Sequence, residues 1–192
     1  MEALIAHFNK YISLDASQLN LIESKISVRK IKRRQMILQE GFVCKHYTFV
    51  LKGLFRMYGI DDKGFEHNIQ FTAEGDWIAD LGSFHTKKPS KLFIEALEPS
   101  EIIQIEQKDL YFLYINIIKL DRVFKVTVEN KFIEIQDRVL QNFSSTAEQR
   151  YLSFLDRYAD LAARISNVQI ASYLGITPQF LSKIRKKIST KS

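Results

Sequence analysis

The chain has 192 residues, 46% hydrophobic and 12% aromatic, which supports a packed core in one domain or two small ones. One cysteine, Cys44, excludes a disulfide framework and any four-thiolate site. No run of about 18 apolar residues could span a bilayer, and the N-terminus lacks a signal-like apolar run, so an intracellular, cytoplasmic protein with no membrane partner is expected.

In chain order, residues 27–106 carry short β-rich runs: Tyr47–Lys52, Leu54–Tyr58, His67–Thr72, Leu92–Ala96 and Glu101–Ile105. Turn signals separate them at Gly53, Asp61–Gly64, Glu74–Asp76 and Lys87–Ser90. Regular short strands of this kind predict an antiparallel sandwich or jelly roll. The basic run Arg29–Arg34, read as a strand, exposes alternate charges on a sheet edge and guards it against pairing. Extra phosphate contact or a polymerase-facing patch are its alternatives. Trp77, after Gly75 and Asp76, is expected to pack in the core.

Helical spacing takes over after Gln107. Val128, Phe132, Ile135 and Val139 step by 4, 3 and 4 residues with no Gly or Pro between, which predicts a long amphipathic helix with a coiled-coil-like seam. That seam can bury against the barrel or against its own copy. Thr146 and Gln149 have capping-box spacing and predict a helix through about Ala163, with Tyr151, Leu155, Tyr158 and Ala162 on one face.

The charge is concentrated at the far end. Of 28 basic side chains, Arg164, Lys183, Arg185, Lys186, Lys187 and Lys191 lie in the last 29 residues, where there is no acidic residue; residues 1–163 balance at 22 against 22. A cationic tip on a neutral body points to a polyanion. Within the tip, Ser166 and Gln169 form a second capping-box spacing and predict a helix from Asn167 to Tyr173 or Leu174. Gly175 supplies the turn. Thr177 as N-cap and Pro178 as first helical residue start a second helix through about Ile188. Leu181, Ile184 and Ile188 then share an apolar stripe, with Gln179, Lys183 and Lys186 opposite; Ala171 lets the two helices cross closely. Gln can pair bidentately with adenine and Lys reaches guanine acceptors, so this is the pattern of a DNA-reading helix-turn-helix. An ordinary helical hairpin with a solvated basic face is the competing interpretation.

Taken together the chain is α+β: an N-terminal antiparallel, jelly-roll-like β-roll with flanking helices, a long helix, and a small C-terminal helical domain. It resembles the Crp-Fnr superfamily of bacterial transcription regulators over nearly its whole length. The carriers are Val50–Gly53 (VLKG), the Asp62–Gly64 hairpin, Gly75–Phe84 (GDWIADLGSF), Leu97–Ile103 (LEPSEII) and Gln169–Thr177 (QIASYLGIT). The resemblance implies a sensor domain over residues 1–117, a dimerisation helix over 118–143 with Val128, Phe132, Ile135 and Val139 as its seam, and a DNA-binding domain over 144–192. It implies a homodimer that sets two recognition helices about 34 Å apart on a palindromic double-stranded DNA site, with RNA polymerase as a further partner. The family's base-contacting positions fall on Pro178, Gln179 and Lys183. Pro178 departs from the pattern, since its side chain neither donates nor accepts, so reading rests on Gln179 and Lys183 with Ser182 and Lys186 beside them and Thr177 on a phosphate. A β-hairpin wing after this helix is expected to be absent or vestigial.

Relatives that bind cyclic nucleotides hold ribose and phosphate with Gly-Glu and Arg-Ser or Arg-Thr pairs. The matching positions are Ala79, Asp80, Ser90 and Lys91, beside Leu81. A lysine point charge does not replace the planar fork of arginine, and Asp80 is one methylene short of Glu. Control by cyclic AMP or GMP is therefore not expected, no cofactor is assigned, and another small ligand or none is favoured in that cavity. Two other classes compete. A cupin-like metal enzyme would need clustered histidines, whereas His7, His46, His67 and His85 are widely spaced with no H-x-H pair. A ligand-binding β-roll module without DNA binding would not need the Gln179 and Lys183 face. No nucleophile elbow or phosphate-cradling loop is present, so no enzyme activity is expected.

Overall fold

The computed structural model describes residues 1–190; Lys191, counted above among the cations of the tip, lies outside the described residues. Two helices come first, among the flanking helices expected of the β-roll although the sequence reading gave them no bounds. The first, α1 (Glu2–Asn9), buries Leu4, His7 and Phe8, and α2 (Ala16–Glu23) opens on a capping box made by Asp15 and Gln18. Then follow β1 (Ile26–Ile31), β2 (Met36–Leu38), β3 (His46–Lys52), β4 (Phe55–Ile60), β5 (Glu66–Thr72), β6 (Trp77–Ile78), α3 (Leu81–Thr86), β7 (Phe93–Ala96) and β8 (Ser100–Glu106). The helices α4 (Gln107–Asn116), α5 (Leu120–Ser144), α6 (Ala147–Arg157), α7 (Asn167–Leu174) and α8 (Pro178–Ser189) follow among the described residues.

The strands form two four-stranded sheets, ordered β1-β8-β3-β6 and β2-β7-β4-β5. In the first, antiparallel pairing sets Ile26 opposite Ile105, and Phe49 opposite Ile103 on one side and Trp77 on the other. Alternation then divides the side chains by face. Tyr47, Phe49 and Trp77 meet Phe124 of α5 and Phe8 of α1 in an aromatic cluster whose Trp77 and Phe124 centroids are 4.9 Å apart. On the alternate positions Thr48 accepts from Gln104 at 3.2 Å. Trp77 is thus core, as its position predicted. In the second sheet, Arg56 of β4 donates through Nε and Nη2 to Glu95 of β7 at 2.8 and 2.6 Å, a buried ion pair. Gly53, at φ +108°, lies so close to Ser100 that a Cβ would overlap that side chain, which explains glycine in the tight β3–β4 turn.

β1 is the edge strand expected of the basic run, but it ends at Ile31. Lys32–Gln35 form a turn closed by the Gln35 amide on the Lys32 carbonyl and by Arg34 in the left-handed region (φ 64°).

Two compact units result. The first comprises Met1–Met57 and Phe71–Asn130; the second comprises the hairpin residues Tyr58–Gln70 and the chain from Lys131 onward. In the second unit α6 stops at Arg157, short of the Ala163 expected from periodicity. Tyr158 leaves helical geometry (φ −119°, ψ 37°), and residues 158–164 continue as turns in which the Leu161 and Ala162 amides donate to the Tyr158 carbonyl and the Arg164 amide to that of Leu161. The physical reason lies in a tertiary demand on Tyr158, whose hydroxyl donates to Glu134 of α5 while its ring packs edge-on to Tyr173 of α7. The buried face is accordingly Tyr151, Phe154 and Tyr158, with Leu155 and Ala162 only half-buried.

Candidate nucleic-acid interface

The tip is built as two capped helices. Ser166 Oγ accepts from the Gln169 amide, and Gln169 Oε1 accepts from the Ser166 amide, each at 3.3 Å, so two orphan donors of α7 are satisfied reciprocally. Gly175 closes α7 at φ +66°, returning its amide to the carbonyls of Ala171 and Ser172, a conformation that costs a side-chain-bearing residue more. Thr177 Oγ1 accepts from the Phe180 amide at 3.2 Å, and Pro178 stands at the first position of α8. Leu181 (0% exposed), Ile184 and Ala171 are buried between the helices, and Ile188 is half-buried.

Opposite that stripe, Thr177, Gln179, Ser182, Lys183 and Lys186 are all exposed. The cations of the tip differ in what they touch. Lys187 pairs with Glu148 of α6, and Arg185 donates to the Asn167 side chain of α7. Lys183 and Lys186 have no side-chain partner among the described residues. Ser182 Oγ donates back to the Pro178 carbonyl at 3.0 Å, which occupies its proton and leaves lone pairs for an incoming donor. The face thus offers one carboxamide in the first turn of α8, at the positive end of the helix, and two ammonium groups further along, Lys183 in the middle and Lys186 in the last turn.

The Asp62–Gly64 hairpin is legible in the sequence, but its docking on α7 and α5 within this unit is not. Ser172 Oγ of α7 accepts from the Asn68 amide at 3.0 Å and donates to the Glu66 carbonyl at 2.6 Å, so one hydroxyl satisfies two groups on the β5 edge. Asn68 Nδ2 donates to the Gln169 carbonyl at 3.0 Å, and Arg138 of α5 donates to the Ile69 carbonyl while stacking on Tyr173 at 4.4 Å. The hydrogen-bond partners lie 69 to 106 residues apart in sequence, beyond the reach of any local periodicity.

The residues aligned with a nucleotide cassette satisfy one another. Asp80 caps α3 by accepting from the Ser83 amide at 3.1 Å and takes the Ser90 hydroxyl at 2.6 Å; Ser90 is buried, Ala79 half-buried and Lys91 exposed. Leu81 lines a cavity of about 300 Å³ with Tyr47, Leu110, Tyr114 and Phe124. The four histidines stay apart: His7 is buried, His46 half-buried, His67 and His85 exposed. No group of three or more His, Cys, Asp or Glu among the described residues could hold a metal ion. Burial pushes the Cys44 thiol up to about 11, so it carries little thiolate at neutral pH.

On α5 the seam residues Val128, Phe132, Ile135 and Val139 are 38, 59, 49 and 49% exposed, with Ile133, Leu140 and Phe143 exposed beside them. In the single chain these side chains are therefore largely open, and Val128 also lines the cavity beside Leu81. No helix among the described residues is long and apolar enough to cross a membrane.

The family described as the cyclic nucleotide-binding domain matches residues 28–116. No curated protein matches the sequence. Among solved structures, FixK2 from Bradyrhizobium japonicum superposes with a TM-score of 0.76 at 18% identity, covering 86% of this chain and 85% of its own. A protein from Eubacterium rectale described as of the crp/fnr family gives 0.73 at 16% identity, covering 95% and 88%. The chain has the Crp/Fnr fold. The c-di-GMP-responsive global regulator CLP from Xanthomonas campestris shares that fold with a TM-score of 0.76 at 13% identity, over 92% of this chain and 93% of its own. The match to the cyclic nucleotide-binding domain runs from within β1 to the end of α4, and the helical segment beyond it carries the α7–α8 pair.

Proposed function

We propose that the protein is a sequence-specific DNA-binding transcription regulator that acts as a cytoplasmic homodimer, with RNA polymerase as a further partner and no enzymatic activity. The observation that carries this reading is the division of α8 into a buried stripe, Leu181 and Ile184, and an exposed face of Gln179, Lys183 and Lys186. Gln179 and Lys183 read bases, Thr177 and Lys186 hold phosphates, and Ser182 adds a polar contact. The α5 seam joins two copies, so the cognate site is an inverted repeat with half-sites about 34 Å apart. Residues 1–117, 118–143 and 144–192 serve as sensor, dimerisation helix and reader. Cyclic AMP and GMP do not control it: position 90 offers a hydroxyl already donated to Asp80, and Lys91 offers a point charge in place of a fork.

Selection from random duplex DNA tests the reading and should return an inverted repeat. Lys183→Ala should then cost about 1 to 3 kcal/mol on the selected site and much less on random duplex. An equal loss on both would make Lys183 a phosphate contact, and failure to enrich any sequence would remove the regulator reading.

A further inference from the structure

The helical unit holds a polar cavity that the DNA-reading function does not use. It measures about 160 Å³ and is lined by Arg138 of α5, Arg150 and Arg157 of α6, and Tyr173 and Leu174 of α7; Asp156 is the one acidic side chain on its wall among the described residues. Three arginines and one aspartate border the cavity, so the charge on its wall is net positive and favours an anion.

Their existing partners leave donors to spare. Arg150 gives Nη1 to the Ser145 carbonyl at 3.0 Å, but its Nε is buried and makes no hydrogen bond. Such a group is costly to leave unmade, because it has lost water and gained nothing. Arg157 stands 3.5 Å from Glu134 and 3.6 Å from Asp137, and Glu134 is shared with Lys131 at 3.4 Å and with the Tyr158 hydroxyl. Burial works against ionisation of Glu134, yet Lys131, Tyr158 and Arg157 together hold its carboxyl below the usual range, so that charge is committed to three donors. Arg138 is laid over the Tyr173 ring. Gln141, Asn142 and Ser153 add neutral donors, while Phe154 and Leu174 supply an apolar wall that strengthens charge pairing.

We propose that this cavity is a binding site for a compact oxyanion of phosphate type, held chiefly by Arg150 through its Nε and an Nη, with Arg157 completing the clamp. Guanidinium forks match the oxygens of such an anion bidentately. The volume suits it: at roughly 30 Å³ per water in the liquid, the space equals about five waters, enough for one phosphate group and its remaining hydration. Because α5, α6 and α7 all contribute to the wall, an occupant would tie the first helix of the helix-turn-helix to the long helix. The site shares no residue with Asp80 and Ser90.

The test is calorimetric titration of the full-length protein with inorganic phosphate against sodium chloride at matched ionic strength, without DNA. One saturable phosphate site per chain is expected. Arg150→Gln should weaken it by at least about tenfold, and Arg150→Lys nearly as much, since a point charge lacks the fork. Ser153→Phe, which fills the rim while keeping every arginine, should abolish binding even if the Arg150 variants fold poorly. Lys108→Ala, which removes one exposed cation elsewhere, should leave it unchanged. Absence of a saturable site in the wild type overturns the proposal and assigns the cavity to water; binding that survives in both Arg150→Gln and Ser153→Phe overturns it by placing the anion elsewhere.

Discussion

Leu181 and Phe180 are neighbours on α8 with opposite fates, and substituting each by alanine separates the buried stripe from the open face. Leu181 is 0% exposed and packs where Ala171 keeps α7 close, whereas Phe180 is 48% exposed. Leu181→Ala removes three carbon groups from full burial, worth about 2.4 kcal/mol at about 0.8 per group. A cavity contribution adds to this, and measured Leu→Ala costs run from about 2.7 to 5. Ala171 carries only a methyl, too short to refill the gap, so about 3 to 4 kcal/mol is expected. Phe180→Ala gives up only its covered half, and a cost near 1 kcal/mol follows. Amide hydrogen exchange reports the difference without DNA. At about 1.4 kcal/mol per decade, α7 and α8 amides should exchange more than about 100-fold faster in Leu181→Ala and less than about tenfold faster in Phe180→Ala. Unchanged α8 protection in Leu181→Ala, or a larger effect from Phe180→Ala, would refute the assignment of faces.

The remaining expectations concern the β-roll and the long helix. Arg56→Met should destabilise the β-roll by about 3 to 5 kcal/mol because Glu95 keeps a buried charge, whereas Arg56→Met with Glu95→Leu should recover most of it in urea unfolding; an equally damaged double variant would count against the pairing. His7, 7% exposed, accepts the Trp77 indole N–H on Nε2 at 3.2 Å, so its native ring is neutral and a second proton would point at another donor. Burial first, and Lys10 second, hold its pKa below 6.5, with Asp76 and the Gly75 backbone opposing; burial lowers His46 likewise. Since the unfolded chain then binds more protons, stability should be full above about pH 6.5 and fall below it, reading out as a lower urea midpoint at about pH 5.5. Equal midpoints at about pH 5.5 and 7.5 would contradict this. Phe132→Asp with Ile135→Asp should convert a dimer to a monomer in sedimentation while leaving the helical circular dichroism intact, because both sites are exposed in the single chain; a wild-type monomer would refute the seam.

Local chemistry made the C-terminal helices legible. The caps at Ser166 and Thr177, the turn at Gly175 and the apolar stripe through Leu181 each depend on residues within a few positions of one another, and each lies where its spacing predicted. The five longer strand runs emerged for the same reason, being β-branched or aromatic segments between turn residues. What escaped was set by distant partners. β6 is two residues long and exists because Trp77 and Ile78 pair with Phe49 and Thr48. The early end of α6 is dictated by Glu134 and Tyr173 acting on Tyr158, and nothing near residue 158 in sequence marks it. The amino-terminal helices have short, mixed faces whose burial depends on the sheet beneath them. In the candidate interface, exposure of Gln179 and Lys183 followed from the wheel, but the diversion of Lys187 to Glu148 required a carboxylate 39 positions away.

The single hydroxyl of Ser172 that serves both Glu66 and Asn68 has a consequence for anyone dissecting this molecule. The carboxy-terminal helices are not a detachable head: excised from residue 131 onward, they would keep their own caps and apolar seam yet present Ser172, Gln169 and Arg138 to water in place of a strand. Transplanting them onto a different β-roll would demand that the recipient carry a loop with backbone groups at matching intervals. Inheritance of the hairpin and of the helix it grips is therefore joint, and drift in one constrains what the other can become.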